Sequence, residues 1–208
     1  MTEPIRIAVF ASGTGSNAIA LLEASQRLVP AVEIPLLICD QPQAPILQKL
    51  APFPTAPVLV ERTAGRSAQE AAILQHLTCQ RVDWIFLAGY MRLLSPDFVQ
   101  QWQRLHGGAA QIVNVHPSLL PAYRGLHAVE QAVAAGEREI GVTIHTVDAG
   151  MDTGRIIAQD VIERAPGETA EQLMPRVHRL EHQLYPRFLR QVALGEVPTQ
   201  RLHEVDRC

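Results

Sequence analysis

The 208-residue sequence predicts a single α/β domain in which a mostly parallel, twisted sheet carries helices on both faces. Three observations favour this fold class. Short apolar runs alternate along the chain with segments of helical periodicity, the order typical of parallel strands joined by crossover helices. The run Trp84–Ala88 is apolar at every position, as in a strand that is covered on both faces. The first apolar run ends in a glycine-rich turn that leads into a helical pattern.

Seven apolar runs are candidate strands, and the last two are close enough along the chain to be neighbours in the sheet. The predicted strands are Ile5–Phe10, Ile34–Cys39, Val58–Val60, Trp84–Ala88, Gln111–Val115, Gly141–Val147 and Ile156–Ile162. We expect helices between most of them. One follows the glycine turn, and the others are Pro45–Leu50 (one or two turns), Ser67–Gln80, Pro96–Arg104, Val129–Ala135 and Thr169–Leu194.

Several helix ends have recognisable signals. Ser67 and Glu70 have the spacing of a capping box, and Pro96 suits the first turn of its helix. Pro175 and Pro186 interrupt the long C-terminal pattern, so we expect kinks or a break there. The chain after Pro198 is polar and is expected to form a loosely held tail.

Charge and hydropathy exclude several classes of protein. The 18 basic and 21 acidic residues leave a net charge of −3, which gives no general affinity for nucleic acid or anionic membranes. No apolar run approaches the length of a membrane span. The N-terminal apolar stretch is short and lacks a basic leader, which favours a buried strand over a signal peptide. These features favour a cytoplasmic protein that acts on small molecules. We expect it to be a monomer or a homodimer.

The glycine turn 13–18 fits the relaxed GxGxxA pattern of dinucleotide-binding proteins. Asp40 ends the second predicted strand, where a Rossmann-like NAD site has its ribose-binding acid. The physics requires only that a helix N-terminus present free N–H groups to an anion, and Ser16 and Asn17 add side-chain donors. We therefore favour a single phosphate monoester as the ligand. A tight turn capped by Ser or Asn, without a ligand, is the alternative.

A second group of polar residues follows the fifth predicted strand. Asn114 and His116 lie two residues apart, so their side chains share one face, and Pro117 ends the strand. Asp152 lies in the glycine-containing loop 148–154, which could fold back onto this site. An amide and an imidazolium can stabilise an oxyanion, an imidazole can relay a proton, and a carboxylate favours the imidazolium. This chemistry suits the attack of an amine on an acyl or formyl carbon.

Other interpretations of these residues stay open. Ser118 could form a hydrolytic triad with His116 and Asp152, although it lacks the GxSxG elbow of such nucleophiles. His116, His145 and Asp152 could bind a metal ion, although no HxH or HxxxH spacing is present. Each polar residue could also have an ordinary structural role.

At these residues the chain resembles the folate-dependent formyltransferases, over nearly its whole length. The resemblance rests on Ser12–Asn17, on Leu87–Pro96, on Asn114–Pro121 followed by Gly125–His127, and on Asp148–Gly154. It implies a single-domain Rossmann-like formyltransferase fold and no metal. The implied reaction moves a formyl group from 10-formyltetrahydrofolate to the amine of 5-phosphoribosylglycinamide in purine (IMP) synthesis. A formyltransferase for another amine, or a dinucleotide-binding module, is the alternative.

The resemblance also implies roles for individual residues. His116 would be the general acid, Asn114 the oxyanion donor, and Asp152 the group that holds and charges the histidine. The acceptor would be bound by Gly15, Ser16, Asn17, His178 and Glu181. The folate would be bound by Arg66, Met91, Arg92, Leu93, Leu94, Asn114, Asp148, Ala149, Gly150, Met151 and Asp152. Residues 1–95 would form the nucleotide-phosphate half, and residues 96–197 the catalytic and folate half.

Overall fold

The alternating apolar and helical segments form one seven-stranded sheet in the computed structural model, which describes residues 3–202. The strands are β1 (Ile5–Phe10), β2 (Val32–Cys39), β3 (Ala56–Leu59), β4 (Trp84–Leu87), β5 (Ile112–His116), β6 (Glu139–Thr146) and β7 (Ile156–Glu163). The helices are α1 (Ser16–Gln26), α2 (Pro45–Gln48), α3 (Arg66–Cys79), α4 (Pro96–Leu105), α5 (Ala128–Ala134) and α6 (Ala170–Ala193).

The strand order is β3-β2-β1-β4-β5-β6-β7. The first five strands pair in parallel, whereas β6 runs antiparallel to β5 and β7 antiparallel to β6. The predicted, mostly parallel sheet is therefore confirmed. Chain order reverses at β1, which has β2 on one side and β4 on the other. In open α/β sheets this switch point forms a crevice beyond the carboxyl ends of the strands.

Helices cover both faces of the sheet, and β4 contributes side chains to both layers. Phe86 belongs to the apolar cluster that contains Leu21 of α1 and Tyr185 of α6. Ile85 belongs to the opposite cluster, which contains Phe98 of α4. This two-sided burial explains why the strand is apolar at every position.

The capping box predicted at Ser67 and Glu70 is wrong. Helix α3 begins at Arg66, its cap is Gly65, and no side chain caps it. The Glu70 carboxylate instead accepts a hydrogen bond from the backbone N–H of Ser95, at 2.8 Å, and so joins α3 to the start of α4.

The break expected in the C-terminal helix is also absent, since α6 runs continuously from Ala170 to Ala193 with Pro175 and Pro186 inside it. Thr169 and Gln172 form a capping box at its start. Burial of its apolar face against the sheet compensates for the two missing N–H donors.

The chain after Pro198 is anchored as far as the structure describes it, contrary to the expected loose tail. The backbone N–H of Gln200 donates to Gln111 Oε1 at 2.5 Å, and Arg201 Nη1 lies 2.6 Å from Asp83 Oδ2. Residues 203–208 of the predicted tail lie outside the described residues. Within residues 3–202, no helix has the length and apolar character needed to cross a membrane.

Candidate active site

Polar side chains from β5, β6 and the loop after β6 meet at one edge of the sheet. Antiparallel pairing sets His145 opposite Asn114. His116 Nδ1 lies 3.4 Å from Asp152 Oδ2, and His145 Nε2 lies 3.4 Å from Asp152 Oδ1. Asn114 Nδ2 is also 3.4 Å from His145 Nε2. The structure therefore brings the three predicted residues together, with a second histidine between the amide and the carboxylate.

Both nitrogens of the His116 ring face oxygen atoms. Nε2 is 2.8 Å from the backbone carbonyl of Tyr123, opposite the Asp152 carboxylate at Nδ1. The ring thus lies between a backbone carbonyl and a carboxylate. The Tyr123 contact must also open before Nε2 can reach another group, which links the loop that carries Tyr123 to use of the histidine.

The Asp152 carboxylate is largely buried, with its side chain 13% exposed. Burial opposes ionisation, but hydrogen bonds from His145 and from the backbone N–H of Gly125, together with the charge of His116, lower the pKa of Asp152 to about 2. The Gly125 contact, at 2.9 Å, ties the preceding loop to the carboxylate. Asp152 is consequently a fixed negative charge at neutral pH, shared by two histidines.

The loop that carries Asp152 depends on internal contacts. Asp148 Oδ1 accepts from the Gly150 N–H at 3.0 Å and from the Thr153 hydroxyl at 2.6 Å. A Cβ on Gly154 would lie 1.7 Å from the carbonyl oxygen of Thr146, so only glycine lets the loop approach β6 this closely. Glycine at position 154 therefore allows the loop to fold back against β6.

The glycine turn leads into α1 without a side-chain cap. Gly15 occupies the cap position with φ of 68°, and a Cβ there would meet the Ile46 side chain at 2.5 Å. The Asn17 amide donates to Glu181 Oε2 at 3.2 Å. The Ser or Asn cap considered from the sequence is therefore absent, and the first N–H groups of α1 are left for another acceptor.

Glu181 is a buried carboxyl, 5% exposed, beside the N-terminus of α1. Burial raises its pKa to about 7, and the hydrogen bond from Asn17 only partly offsets this effect. Asn17 Oδ1 is also buried and has no partner among the described residues. Such incompletely satisfied polar atoms suit a ligand that presents hydroxyl groups.

Replacing Glu181 with glutamine is expected to stabilise the protein above pH 7 by about 3 kcal/mol, and to change little below pH 4. The carboxyl ordinarily ionises near pH 4.5 but near pH 7 in the folded protein, so its ionisation costs stability that accumulates between these values. Urea unfolding of both proteins at pH 4 and pH 8 measures the difference. An equal effect at both pH values would contradict the buried-acid interpretation.

One cavity of about 440 Å³ joins the glycine turn to the polar cluster. The predicted residues that line it are Gly15, Ser16, Asn17, Met91, Arg92, Leu93, Leu94, Asn114, His116, Asp148, Gly150, Met151, Asp152, His178 and Glu181. Arg66 lies instead in an adjoining cleft that shares Met91–Leu94. Ala149 is not among the residues that line either space.

Sequence reasoning missed part of the site. The sequence suggests His145 only as a metal ligand. Its place in the site follows from antiparallel pairing, which sets His145 opposite Asn114 and Thr143 opposite His116. The described residues contain no group of three or more His, Cys, Asp or Glu side chains arranged to hold a metal ion. The Tyr123 carbonyl has no sequence signal, because any residue supplies one.

The structure answers two of the alternative interpretations. Asp40 is buried and hydrogen-bonded to Ser12 Oγ and Arg92 Nε, at 2.5 and 2.7 Å, so it is not free to bind a ribose. The dinucleotide interpretation thereby loses its acid. Ser118 Oγ donates to the carbonyl of Ala122 at 2.7 Å and does not contact His116, so the hydrolytic triad is not formed.

Comparison with known proteins adds independent evidence. A model of the formyl transferase family matches residues 5–189. The chain is 41% identical to the phosphoribosylglycinamide formyltransferase of Bacillus subtilis, over 90% of this chain and 94% of that protein. It is 40% identical to the trifunctional purine biosynthetic protein adenosine-3 of Drosophila melanogaster, over 91% of this chain but only 14% of that protein.

Solved structures agree with this relationship. Glycinamide ribonucleotide transformylase 1 from Geobacillus kaustophilus superposes with a TM-score of 0.84 at 42% identity, covering 92% of this chain and all of that one. Phosphoribosylglycinamide formyltransferase from Brucella melitensis gives 0.84 at 39% identity, with 94% and 98% covered. The α/β fold expected from the resemblance is confirmed, and the chain belongs to the formyl transferase family.

Proposed function

We propose that this protein transfers the formyl group of 10-formyltetrahydrofolate to the amine of 5-phosphoribosylglycinamide, releasing tetrahydrofolate and the N-formyl product. The main support is that Asn114, His116 and Asp152 line one cavity. They lie between the N-terminus of α1 and an apolar slot formed by Met91, Leu93 and Met151. The relatives named for this reaction support the choice of substrates.

The end of the cavity at α1 suits the acceptor. The uncapped N-terminus of α1 presents N–H groups to a phosphate, and Ser16 adds a hydroxyl. Glu181, together with the unpartnered Asn17 oxygen, accepts hydrogen bonds from the ribose hydroxyls. The exposed His178 lines the same end, within reach of an anionic group.

The opposite end suits the donor. Met91 and Leu93 are 69% and 48% exposed, and they line the cavity together with Met151. Clustered exposed apolar side chains mark a surface that a ligand covers, here the flat pterin. Arg92 and Arg66 line the cleft that adjoins this slot and can bind the carboxylates at the other end of the folate.

The residues between the two ends carry the chemistry. The acceptor amine attacks the formyl carbon, a new N–C bond forms, and the carbonyl oxygen becomes an oxyanion. The Asn114 amide and the His116 imidazolium stabilise that charge, Asp152 holds His116, and His145 lies between Asp152 and the Asn114 amide. Collapse of the intermediate breaks the bond to folate N10, which receives a proton that the site returns from the attacking amine.

The two parts of the chain have different roles in this reaction. Residues 1–95 hold the nucleotide phosphate, although Met91–Leu94 of the folate slot also lie in this half, and residues 96–197 supply the catalytic groups. The purine-biosynthetic names of the relatives support a cytoplasmic pathway enzyme.

The decisive experiment incubates the purified protein with 5-phosphoribosylglycinamide and 10-formyltetrahydrofolate and follows both products by mass spectrometry. Formylated acceptor and tetrahydrofolate should appear in equal amounts. Formate with ATP is the control donor, and methionyl-tRNA the control acceptor. Formylation of methionyl-tRNA alone, or NAD binding without folate binding, would refute the proposal.

Replacing Ser118 with alanine is expected to leave the transfer rate within about threefold of wild type while lowering the free energy of unfolding by about 1–2 kcal/mol. The hydroxyl bonds the Ala122 carbonyl and supports the loop, but it does not contact the reacting groups. Steady-state kinetics and urea unfolding measure the two effects. Complete loss of activity in a folded variant would restore the triad interpretation.

A further inference from the structure

The buried carboxylate of Asp40 connects two loops that line the cavity, although Asp40 itself is not among the lining residues. The Asp40 side chain, 1% exposed, follows the end of β2. Its Oδ1 accepts from Ser12 Oγ at 2.5 Å, and its Oδ2 accepts from Arg92 Nε at 2.7 Å and from Gln41 Nε2 at 3.2 Å. Ser12 Oγ accepts in turn from the Met91 N–H at 2.9 Å.

These contacts join loops that serve different ends of the cavity. Ser12 follows β1 and opens the glycine turn, whereas Met91 and Arg92 follow β4 and line the apolar slot. A further hydrogen bond, from the Ser12 N–H to the Gly89 carbonyl at 3.1 Å, runs between the same two loops. Asp40 is thus a charged link between them that does not itself line the cavity.

The way in which Asp40 holds Arg92 leaves the guanidinium available. The Arg92 side chain is 40% exposed and contacts Asp40 through Nε. Among the described residues, no hydrogen bond engages its terminal Nη atoms. Those atoms form the part of the guanidinium fork that binds a carboxylate in a bidentate manner. Arg62 and Arg66 line the same cleft, where Arg66 Nε pairs with Glu70 Oε1 at 3.2 Å. Three guanidinium groups and one carboxylate therefore line the cleft, a balance that favours an anion.

We propose that Asp40 is a positioning residue for the donor: it fixes the Arg92 guanidinium so that its Nη atoms bind the carboxylate end of the folate. Through Ser12 it also fixes the Met91 backbone at the pterin slot. The inference rests on the proposed function, because it assigns the donor to this end of the cavity.

Asp40 remains charged in this setting. Burial acts to raise its pKa, but the hydrogen bonds from Ser12 and Arg92 outweigh burial, so the pKa lies below its ordinary value. An Asp40→Asn variant keeps the size of the side chain and an acceptor for Ser12, but removes the charge that faces Arg92. The variant therefore isolates the ion pair from the packing.

The test compares Asp40→Asn with Asp83→Asn. Asp83 is a matched control, because its side chain is 4% exposed and paired with Arg201. It precedes β4 and so lies at the amino end of this strand, whereas Met91 and Arg92 follow its carboxyl end. For Asp40→Asn, we expect the KM for 10-formyltetrahydrofolate and the calorimetric Kd for tetrahydrofolate to rise about tenfold. The KM for the acceptor and kcat should stay within about twofold. For Asp83→Asn, neither donor constant should change.

Two further variants keep the inference testable if Asp40→Asn folds poorly. Ser12→Ala should raise the same donor constants by about threefold, since it removes the hydroxyl that joins Asp40 to the Met91 N–H but leaves the Asp40–Arg92 ion pair in place. In an Arg92→Ala background, Asp40→Asn should add no further loss, because its effect passes through Arg92. Unchanged donor constants in Asp40→Asn, or changes equal to those of Asp83→Asn, would overturn the inference. A wild-type protein that does not bind tetrahydrofolate would instead refute the proposed function.

Discussion

Replacing His116 with alanine is expected to lower kcat/KM for formyl transfer by about a thousandfold, the largest effect of any single substitution proposed for this protein. The His116 imidazole can both stabilise an oxyanion and exchange a proton, and it lies beside Asn114 at the end of β5. His116 Nδ1 also lies 3.4 Å from Asp152 Oδ2, so removing the ring leaves the buried Asp152 carboxylate with only His145 as a histidine partner.

The measurement is steady-state kinetics with both substrates, together with circular dichroism to verify folding. His76→Ala is the control, because His76 is an exposed histidine in α3 that does not line the cavity. Tetrahydrofolate binding should be nearly unchanged in His116→Ala, since the pterin slot is intact. A variant that retains more than about a tenth of the wild-type rate would exclude His116 as the proton-transfer group.

Much of this cluster was predictable from strand geometry. The spacing of Asn114 and His116 places both side chains on one face of β5. Both residues lie at the carboxyl end of this strand, where a parallel sheet binds its ligands. Asp152 required more than local spacing, because its approach depends on a tight contact at Gly154 and on the Gly125 N–H. Local spacing left the role of Asp152 open, and only the resemblance to the formyltransferases assigned it to the site.

Other features depend on pairings that periodicity does not encode. The capping box predicted at Ser67 failed because Glu70 bonds Ser95, a residue 25 positions away. The dinucleotide alternative takes Asp40 as a ribose-binding acid, because Asp40 lies at the end of a strand where such an acid would lie. Its actual partner, Arg92, comes from a loop after another strand. Long-range side-chain contacts of this kind decide whether a polar residue faces a ligand or the protein.

Replacing Asp152 with asparagine is expected to lower kcat by about a hundredfold, with less effect on the KM of either substrate. The amide keeps the volume and can still accept from the Gly125 N–H, so the loop should stay closed. It removes the charge shared by His116 and His145, however. The imidazolium of His116 then has no anionic partner, and the oxyanion loses part of its stabilisation.

The same variant has a predicted signature in stability. The pKa of Asp152 falls from its ordinary 3.8 to about 2 on folding, so ionisation stabilises the native protein by roughly 2 kcal/mol above pH 4. This contribution is lost as the pH falls through about 2. Asp152→Asn should therefore be less stable than wild type at pH 7, by an amount that shrinks below pH 3. A constant difference across pH would contradict the ion-pair assignment.

A double mutant decides whether the carboxylate acts through the histidine. If Asp152 holds and charges His116, then Asp152→Asn should cost little further activity once His116 is already alanine, so the two losses should be far from additive. Fully additive losses would mean that Asp152 contacts the reacting atoms by an independent route. Adding His145→Ala to the same variants measures how much of the activity lost in Asp152→Asn depends on His145 and its contact with the Asn114 amide.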